Sequence, residues 1–392
     1  MKTVMKLVVS LSLTAAACAL MGCGNLLGAE LPSAAAAKKA PDAVIPLRPG
    51  SVEPPPYDII WSRDGQEILY NAFDEGEIRA VNVSTRASRV VTTSPERILS
   101  PMLTLSQDGG VLYYRAGGHR VGWSFGSLYR VGVNGQGREL VAAAPMFNYA
   151  VSPDGSRVAF ASMSGSSDGL FVCDAATKTS RPLKLNVRAF PLAFSPNGQE
   201  ALCHSQNWLP SGTPLYLQSL TIVSVETGTQ RPLEFSRTPE WERGIVTVLP
   251  RWDPGGIKYC AYGLDVTGYW VGVRNLTKNE TVWRRELGRD RAPEKLAWSA
   301  DGAKVAWIHH VFGPPRSIGI SQHGSGAPLK GYTTWVADLQ SGEGRQIGEH
   351  IGAGQVWQAA LSRDGKRLAL LVLKRDPEGR RLVEIHVWDV PQ

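Results

Sequence analysis

A four-residue turn written six times constrains this chain more than any other feature. It reads Ser62-Arg63-Asp64-Gly65, Ser106-Gln107-Asp108-Gly109, Ser152-Pro153-Asp154-Gly155, Ser195-Pro196-Asn197-Gly198, Ser299-Ala300-Asp301-Gly302 and Ser362-Arg363-Asp364-Gly365, with a worn seventh copy at Asp253-Pro254-Gly255-Gly256. Asp or Asn in such a turn caps its own backbone and Gly supplies the positive φ, so each copy reads as a tight hairpin. Successive third positions lie 44 (64 to 108), 46 (108 to 154), 43 (154 to 197), 58 (197 to 255), 46 (255 to 301) and 63 (301 to 364) residues apart. A period of this size means stacked supersecondary units, and the longer spacings mean that some units carry insertions.

The sequence around the turns defines the unit. An apolar residue always precedes the turn (Trp61, Leu105, Val151, Phe194, Trp298 and Leu361), with Trp252 in the worn copy. A second strand follows each Gly, as at Val158-Ala159-Phe160, and a third follows a variable loop, as at Leu220 to Val225. A polar turn then leads to a short fourth strand such as Arg181 to Leu185, and no segment has helical periodicity. Four short antiparallel strands repeated seven times predict an all-β fold, a seven-bladed β-propeller of four-stranded blades. The last repeat supplies three strands before Gln392, and Val44 to Arg48 resembles the fourth strands of the other repeats. This N-terminal strand is therefore expected to pair with the last blade and close the ring, since an open blade exposes an edge. The turn and its apolar flanks resemble the WD40-like repeats of the TolB type over roughly residues 44–392. That resemblance implies envelope-associated protein interaction. Trp388-Asp389 lacks the Gly-His partner of a true WD40 repeat.

Residues 1–22 read as a targeting segment. Lys2 and Lys6 precede an apolar run from Leu7 to Leu20, which ends at Leu20-Met21-Gly22-Cys23. This ending resembles the lipobox of bacterial lipoproteins, which implies lipid attachment at Cys23 and an exported protein anchored to a membrane, on its periplasmic or outer-membrane face. Residues 23–43 are rich in Ala, Pro, Lys and Gly and read as a flexible tether. The domain is then 44–392. The formal charge of +7 is spread without a basic block, which argues against nucleic acid. Cys173, Cys203 and Cys260 fall in apolar strands without metal spacing and are expected to be buried small hydrophobes.

In a blade, the loop after the first strand and the loop after the second open on opposite faces. The stereotyped turns mark one face, so Asp64, Asp108, Asp154, Asn197, Asp301 and Asp364 are expected to be structural and not catalytic. The insertions, 116–126, 205–218, 236–246 and 309–332, fall on the other, and irregular loops on a rigid scaffold are where binding residues gather. The candidates there are His119, Arg120, Trp123, Trp208, Trp241, His309, His310, Phe312, Arg316 and Tyr332. Six of the seven histidines map near this rim, His386 being the exception. A metal site would draw on His204, His309 and His310, but no ligand spacing ties them together, and no cofactor is expected. Gly122-Trp123-Ser124-Phe125-Gly126 matches a nucleophile elbow in letters only, since the strand-to-helix turn that motif needs is missing. The expectation is a monomeric, non-enzymatic binding or scaffold module for an envelope protein, peptide or glycan. The alternative is a metal-assisted polysaccharide lyase of the oligogalacturonate type, or another hydrolytic enzyme, using rim histidines.

Overall fold

The computed structural model describes residues 39–47, 58–72, 76–117, 119–120, 123–124, 126–162, 169–186, 188–206, 219–232, 249–253, 256–264, 267–275, 277–278, 280–288, 293–312, 329–351, 354–375 and 377–391. Among these every regular element is a strand, and no helix is long and apolar enough to cross a membrane. The first sheet comprises Ile59–Trp61, Glu67–Ala72, Glu77–Asn82 and Ser88–Thr93. A long sheet of seven strands follows: Arg97–Leu105, Val111–Gly117, Gly126–Gly132, Glu139–Val151, Arg157–Ser162, Gly169–Asp174 and Ser180–Pro182. The third comprises Arg188–Phe194, Glu200–Gln206, Ser219–Ser224 and Gln230–Pro232, and the fourth Leu249–Asp253, Gly256–Leu264, Tyr269–Asn275 and Glu280–Gly288. The fifth comprises Pro293–Trp298, Lys304–Phe312, Leu329–Asp338 and Gly344–Ile351. In the last sheet Gly354–Leu361, Arg367–Arg375 and Arg381–Asp389 are joined by Ala43–Leu47.

The fold is an all-β propeller, but it differs from seven separate four-stranded blades. Five sheets have four strands, and what were expected as the second and third blades are one continuous sheet. The reason lies in Glu139–Val151, a strand of 13 residues. Its first half pairs with Gly126–Gly132 (Tyr129↔Leu140) and its second half with Arg157–Ser162 (Tyr149↔Phe160). The crossing Ala142-Ala143-Ala144-Pro145 holds no Gly, and the fixed φ of Pro145 is compatible with extended backbone, so the crossing between blades stays extended.

Ala43–Leu47 runs antiparallel to Arg381–Asp389, with Ala43↔Val387, Ile45↔Ile385 and Leu47↔Val383 in register. Asp42 continues the pairing: its amide donates to the Val387 carbonyl, and its carboxylate accepts from the Asp389 amide at 2.8 Å.

The core is layered between consecutive sheets. Ile45, Leu371 and Ile385 of the last sheet pack on Trp61, Ile68 and Val81 of the first. Leu69 and Ile78 of the first sheet pack on Leu112 and Tyr114 of the long sheet. Within the long sheet Tyr113 and Leu128 meet Tyr149 and Phe160, so its two halves face one another as blades do. Both faces of the middle strands are covered, which is why Val158-Ala159-Phe160-Ala161 are all buried. Cys173, Cys203 and Cys260 are free and buried in these layers.

The repeated turn is one hydrogen-bond device in six copies. In each, the Ser hydroxyl donates to the Asp or Asn side-chain oxygen, as for Ser62 to Asp64 at 2.6 Å and Ser152 to Asp154 at 2.7 Å. The same hydroxyl accepts the amide five residues on, at 2.9 Å in every copy. The third residue also accepts the amide two residues on, and the Gly φ lies between 65° and 72° throughout. Donation by Ser62, Ser106 and Ser152 holds the carboxyls of Asp64, Asp108 and Asp154 below the usual range. At Asp364 burial pushes the carboxyl up, and the bonds from Ser362 and the Lys366 amide outweigh it. Because Ser152 is buried, Ser152→Ala strands the Arg157 amide and unseats Asp154. It should lower the unfolding free energy by about 1–2 kcal/mol in a denaturant titration.

A second device, not apparent in the sequence pattern, joins neighbouring blades. Arg89, on the outer strand of the first sheet, donates to the Val133 carbonyl at 2.8 Å, and Arg181 donates to Val225 at 2.6 Å. Arg345 reaches Pro391 and Arg285 reaches Gly344 in the same way. Arg recurs on these outer strands because a long planar donor can span the gap between blades while its stem covers apolar surface.

Candidate functional site

The looped rim is carried by strand ends whose loops lie partly outside the described residues, and Trp208, Trp241 and Arg316 fall in that part. His119–Arg120 pairs with Trp123–Ser124 as a small hairpin between two strands of the long sheet (Arg120↔Trp123). Phe312 ends Lys304–Phe312, opposite Leu329. The side chains of these four candidates, His119, Arg120, Trp123 and Phe312, are not among those described. Cys23 also lies outside the described residues.

The three remaining rim candidates face inward. His309 and His310 are neighbours on one strand, so their side chains leave opposite faces of the sheet. His309 is buried, and its Nε2 accepts from the Trp307 indole at 2.9 Å. His310 is buried too, and its Nε2 accepts from the Val356 amide of the last sheet at 3.3 Å. His204 sits on a strand of the third sheet, and among the described residues no group of three or more His, Cys, Asp or Glu is placed to hold a metal.

Tyr332 was expected at a binding surface and is instead 0 % exposed. Its strand, Leu329–Asp338, belongs to the fifth sheet, and the Tyr332 side chain packs among residues of the fifth and last sheets. There its hydroxyl lies 2.5 Å from His386 Nδ1, and His386 Nε2 lies 2.8 Å from the Glu384 carboxylate. Lys374 pairs with the other oxygen of Glu384 at 2.6 Å. His350 completes the cluster, its ring centroid 4.8 Å from that of His386. The hub is thus His386, the one histidine assigned away from the rim. The sequence signal was slight: Glu384 and His386 are two apart on one strand and so share a face.

The protonation states follow from the geometry. Burial pushes the His386 pKa down to about 4, against the pull of Glu384, so its ring is neutral at pH 7. Burial also holds His350 below its usual value, with Lys374 adding to the effect. Burial raises the Glu384 carboxyl, but Lys374 and His386 outweigh it, and the net position is below the ordinary range. Burial, and then the charge of Glu384, raise the Tyr332 phenol. Tyr332 therefore donates to Nδ1, Nε2–H donates to the carboxylate, and the ammonium balances the charge. The connectivity is that of a proton relay, but its terminal hydroxyl is sealed from solvent. It works as a satisfied buried network.

The turn face is not smooth. A depression of about 480 Å3 opens there, walled by the turns of the first, long and last sheets. The structural turn residues Asp108 and Asp154 line it together with Arg63, Arg130 and Arg363.

No protein-family model matches the sequence, and no curated protein matches it. Among solved structures the chain is similar to an oligogalacturonate lyase from Vibrio parahaemolyticus, with a TM-score of 0.58 and 11% identity over 90% of this chain and 99% of that one. It is also similar to the β-propeller domain of Cps50 (Swd1) from Myceliophteria thermophila, with a TM-score of 0.54 and 14% identity over 88% and 99% of the two chains. The likeness is one of fold. A putative TolB from Agrobacterium tumefaciens matches at a TM-score of 0.41, with 15% identity over 86% of this chain and 91% of that one, too low to carry an argument.

Proposed function

We propose that this propeller is a non-enzymatic binding module, held to a membrane by lipid at Cys23, that presents its looped rim to an envelope protein, peptide or glycan. The observation that carries the reading is the engagement of the rim histidines by their own fold. His309 accepts from Trp307, His310 from the Val356 amide, and Tyr332 is sealed against His386. These groups stabilise the blade ends under the loops and leave the loops to make contacts. We further read the long sheet as two blades sharing Glu139–Val151, so that the ring counts seven and Ala43–Leu47 closes it.

The test uses the full chain in bacterial membranes. Cys23→Ser should lose incorporated palmitate and leave the membrane fraction, and unchanged membrane association would remove the anchor from the reading. Shortening residues 207–218 and 313–328 to Gly-Ser links should abolish the cross-linked partners seen with the unaltered chain. The lyase reading is favoured by the fold of the Vibrio parahaemolyticus protein. It predicts ultraviolet-absorbing unsaturated products from polygalacturonate in the presence of manganese. Formation of such products by this protein, and not by a His309→Ala/His310→Ala variant, would overturn the non-enzymatic proposal.

A further inference from the structure

The depression on the turn face has a charge arrangement that the turns themselves do not need. Position two of the turn is Arg in only two of the six intact copies, Arg63 and Arg363, while the others carry Gln, Pro, Pro and Ala. Those two copies belong to the first and last sheets, and both side chains run to the same place on the long sheet. Arg63 Nη1 donates to the Asp108 carbonyl at 2.7 Å, and Arg363 Nη1 donates to the Gln107 carbonyl at 2.8 Å. Consecutive carbonyls thus hold two guanidinium groups side by side on the wall of the depression.

Neither arginine forms an ion pair among the described residues. The nearby acids take their hydrogen bonds from the turns: Asp108 accepts from Ser106 and the Gly110 amide, with the charge of Arg63 acting on it only at longer range, and Asp154 accepts from Ser152 and Ser156. Arg130, the third arginine of the wall, is paired with Glu139. A guanidinium has five N–H donors, so one bond to a carbonyl leaves most of each fork unused. The path of Arg63 is also built. A Cβ on Gly109 would lie 2.5 Å from Arg63 Cβ, so the stem rests on a residue that only glycine can supply.

We infer that the turn face carries an oxyanion site in which Arg63 and Arg363 together grip one carboxylate or phosphate of a small ligand. The volume suits a small molecule or a chain end, and paired forks are the donors that planar oxyanions select. The carboxylates of Asp108 and Asp154 on the same wall disfavour multiply charged ligands. A single anionic group, its neutral remainder lying over Pro153 and Tyr113, fits best.

The experiment is calorimetric titration of the full chain at low ionic strength with acetate and with inorganic phosphate, repeated on variants whose melting is first matched to the parent. Saturable binding of one of them is expected, at least 10-fold weaker in Arg63→Gln/Arg363→Gln. Arg363→Lys should fall between, since it keeps the charge and loses the fork. Tighter acetate points to a carboxylate ligand and tighter phosphate to a phosphoryl group. Should the double variant not fold, the single variants Arg63→Gln and Arg363→Gln take its place, each with a smaller loss in the same direction. Absence of saturable binding by either anion, or equal binding by parent and variants, overturns the site. Neither outcome bears on the looped rim.

Discussion

A chain that begins at Lys39 will melt within about 2 °C of one that begins at Gly24, whereas a chain that begins at Ser51 will melt lower by roughly 10 °C. The difference lies in one strand. Ile45 and Leu47 are buried among Leu371, Val383 and Ile385. Burying each is worth about 1.5–3 kcal/mol, to which the backbone pairing with Arg381–Asp389 and the Asp42 contacts add. Without the strand the last sheet also exposes the apolar edge of Arg381–Asp389, so concentration-dependent aggregation should accompany the lower melting temperature. Scanning calorimetry of the three chains is the measurement. Equal melting of the chains starting at Lys39 and Ser51 would mean that Ala43–Leu47 is a passive appendage.

Acidification should destabilise the protein well before its carboxylates titrate. The His386 pKa lies at about 4 in the fold, against an ordinary value of 6.5. Between those two values the unfolded chain takes up a proton that the native state refuses. The contribution is therefore fully present above pH 6.5 and is lost progressively as pH falls towards 4, to about 3 kcal/mol in total. His350 is shifted in the same direction and adds to the slope. Glu384 lies below its ordinary value, so its contribution is lost only as pH falls further, through the carboxylate range. Urea unfolding at a series of pH values from 7.5 to 4 should show this slope in the parent and a flatter one in His386→Gln. The variant will be less stable at pH 7.5, since Tyr332 and Glu384 lose their shared partner. Parallel curves would show that His386 does not govern the acid response.

The legible and illegible parts of this molecule divide by range. A turn is a local object: Ser, Asp and Gly within four residues carry the hydroxyl, the acceptor and the positive φ, so six hairpins could be placed by reading letters. The strands flanking them follow from a period of two. By contrast, the merging of two expected blades depended on Glu139–Val151 staying extended through Pro145, a residue that reads as a boundary as readily as it continues a strand. His309, His310 and Tyr332 looked like surface residues because they flank an insertion. His310 and Tyr332 are buried by the fifth sheet packing on the last, His309 is buried beside Trp307 and Trp335 on the opposite face, and Tyr332 meets a partner 54 positions away.

The sequence alone determined the turn, its repetition, the strand character of the described segments that flank it and the hydrogen-bonding role of the turn side chains, because each depends on contacts within one hairpin. Tertiary structure decided which side chains meet across blades. It closed Tyr332, His386, Glu384 and Lys374 into a network beneath the rim, and it brought Arg63 and Arg363 together on the face that the uniform turns had made look idle. Both arrangements join residues from different sheets, and only the packing of one blade against another sets those distances.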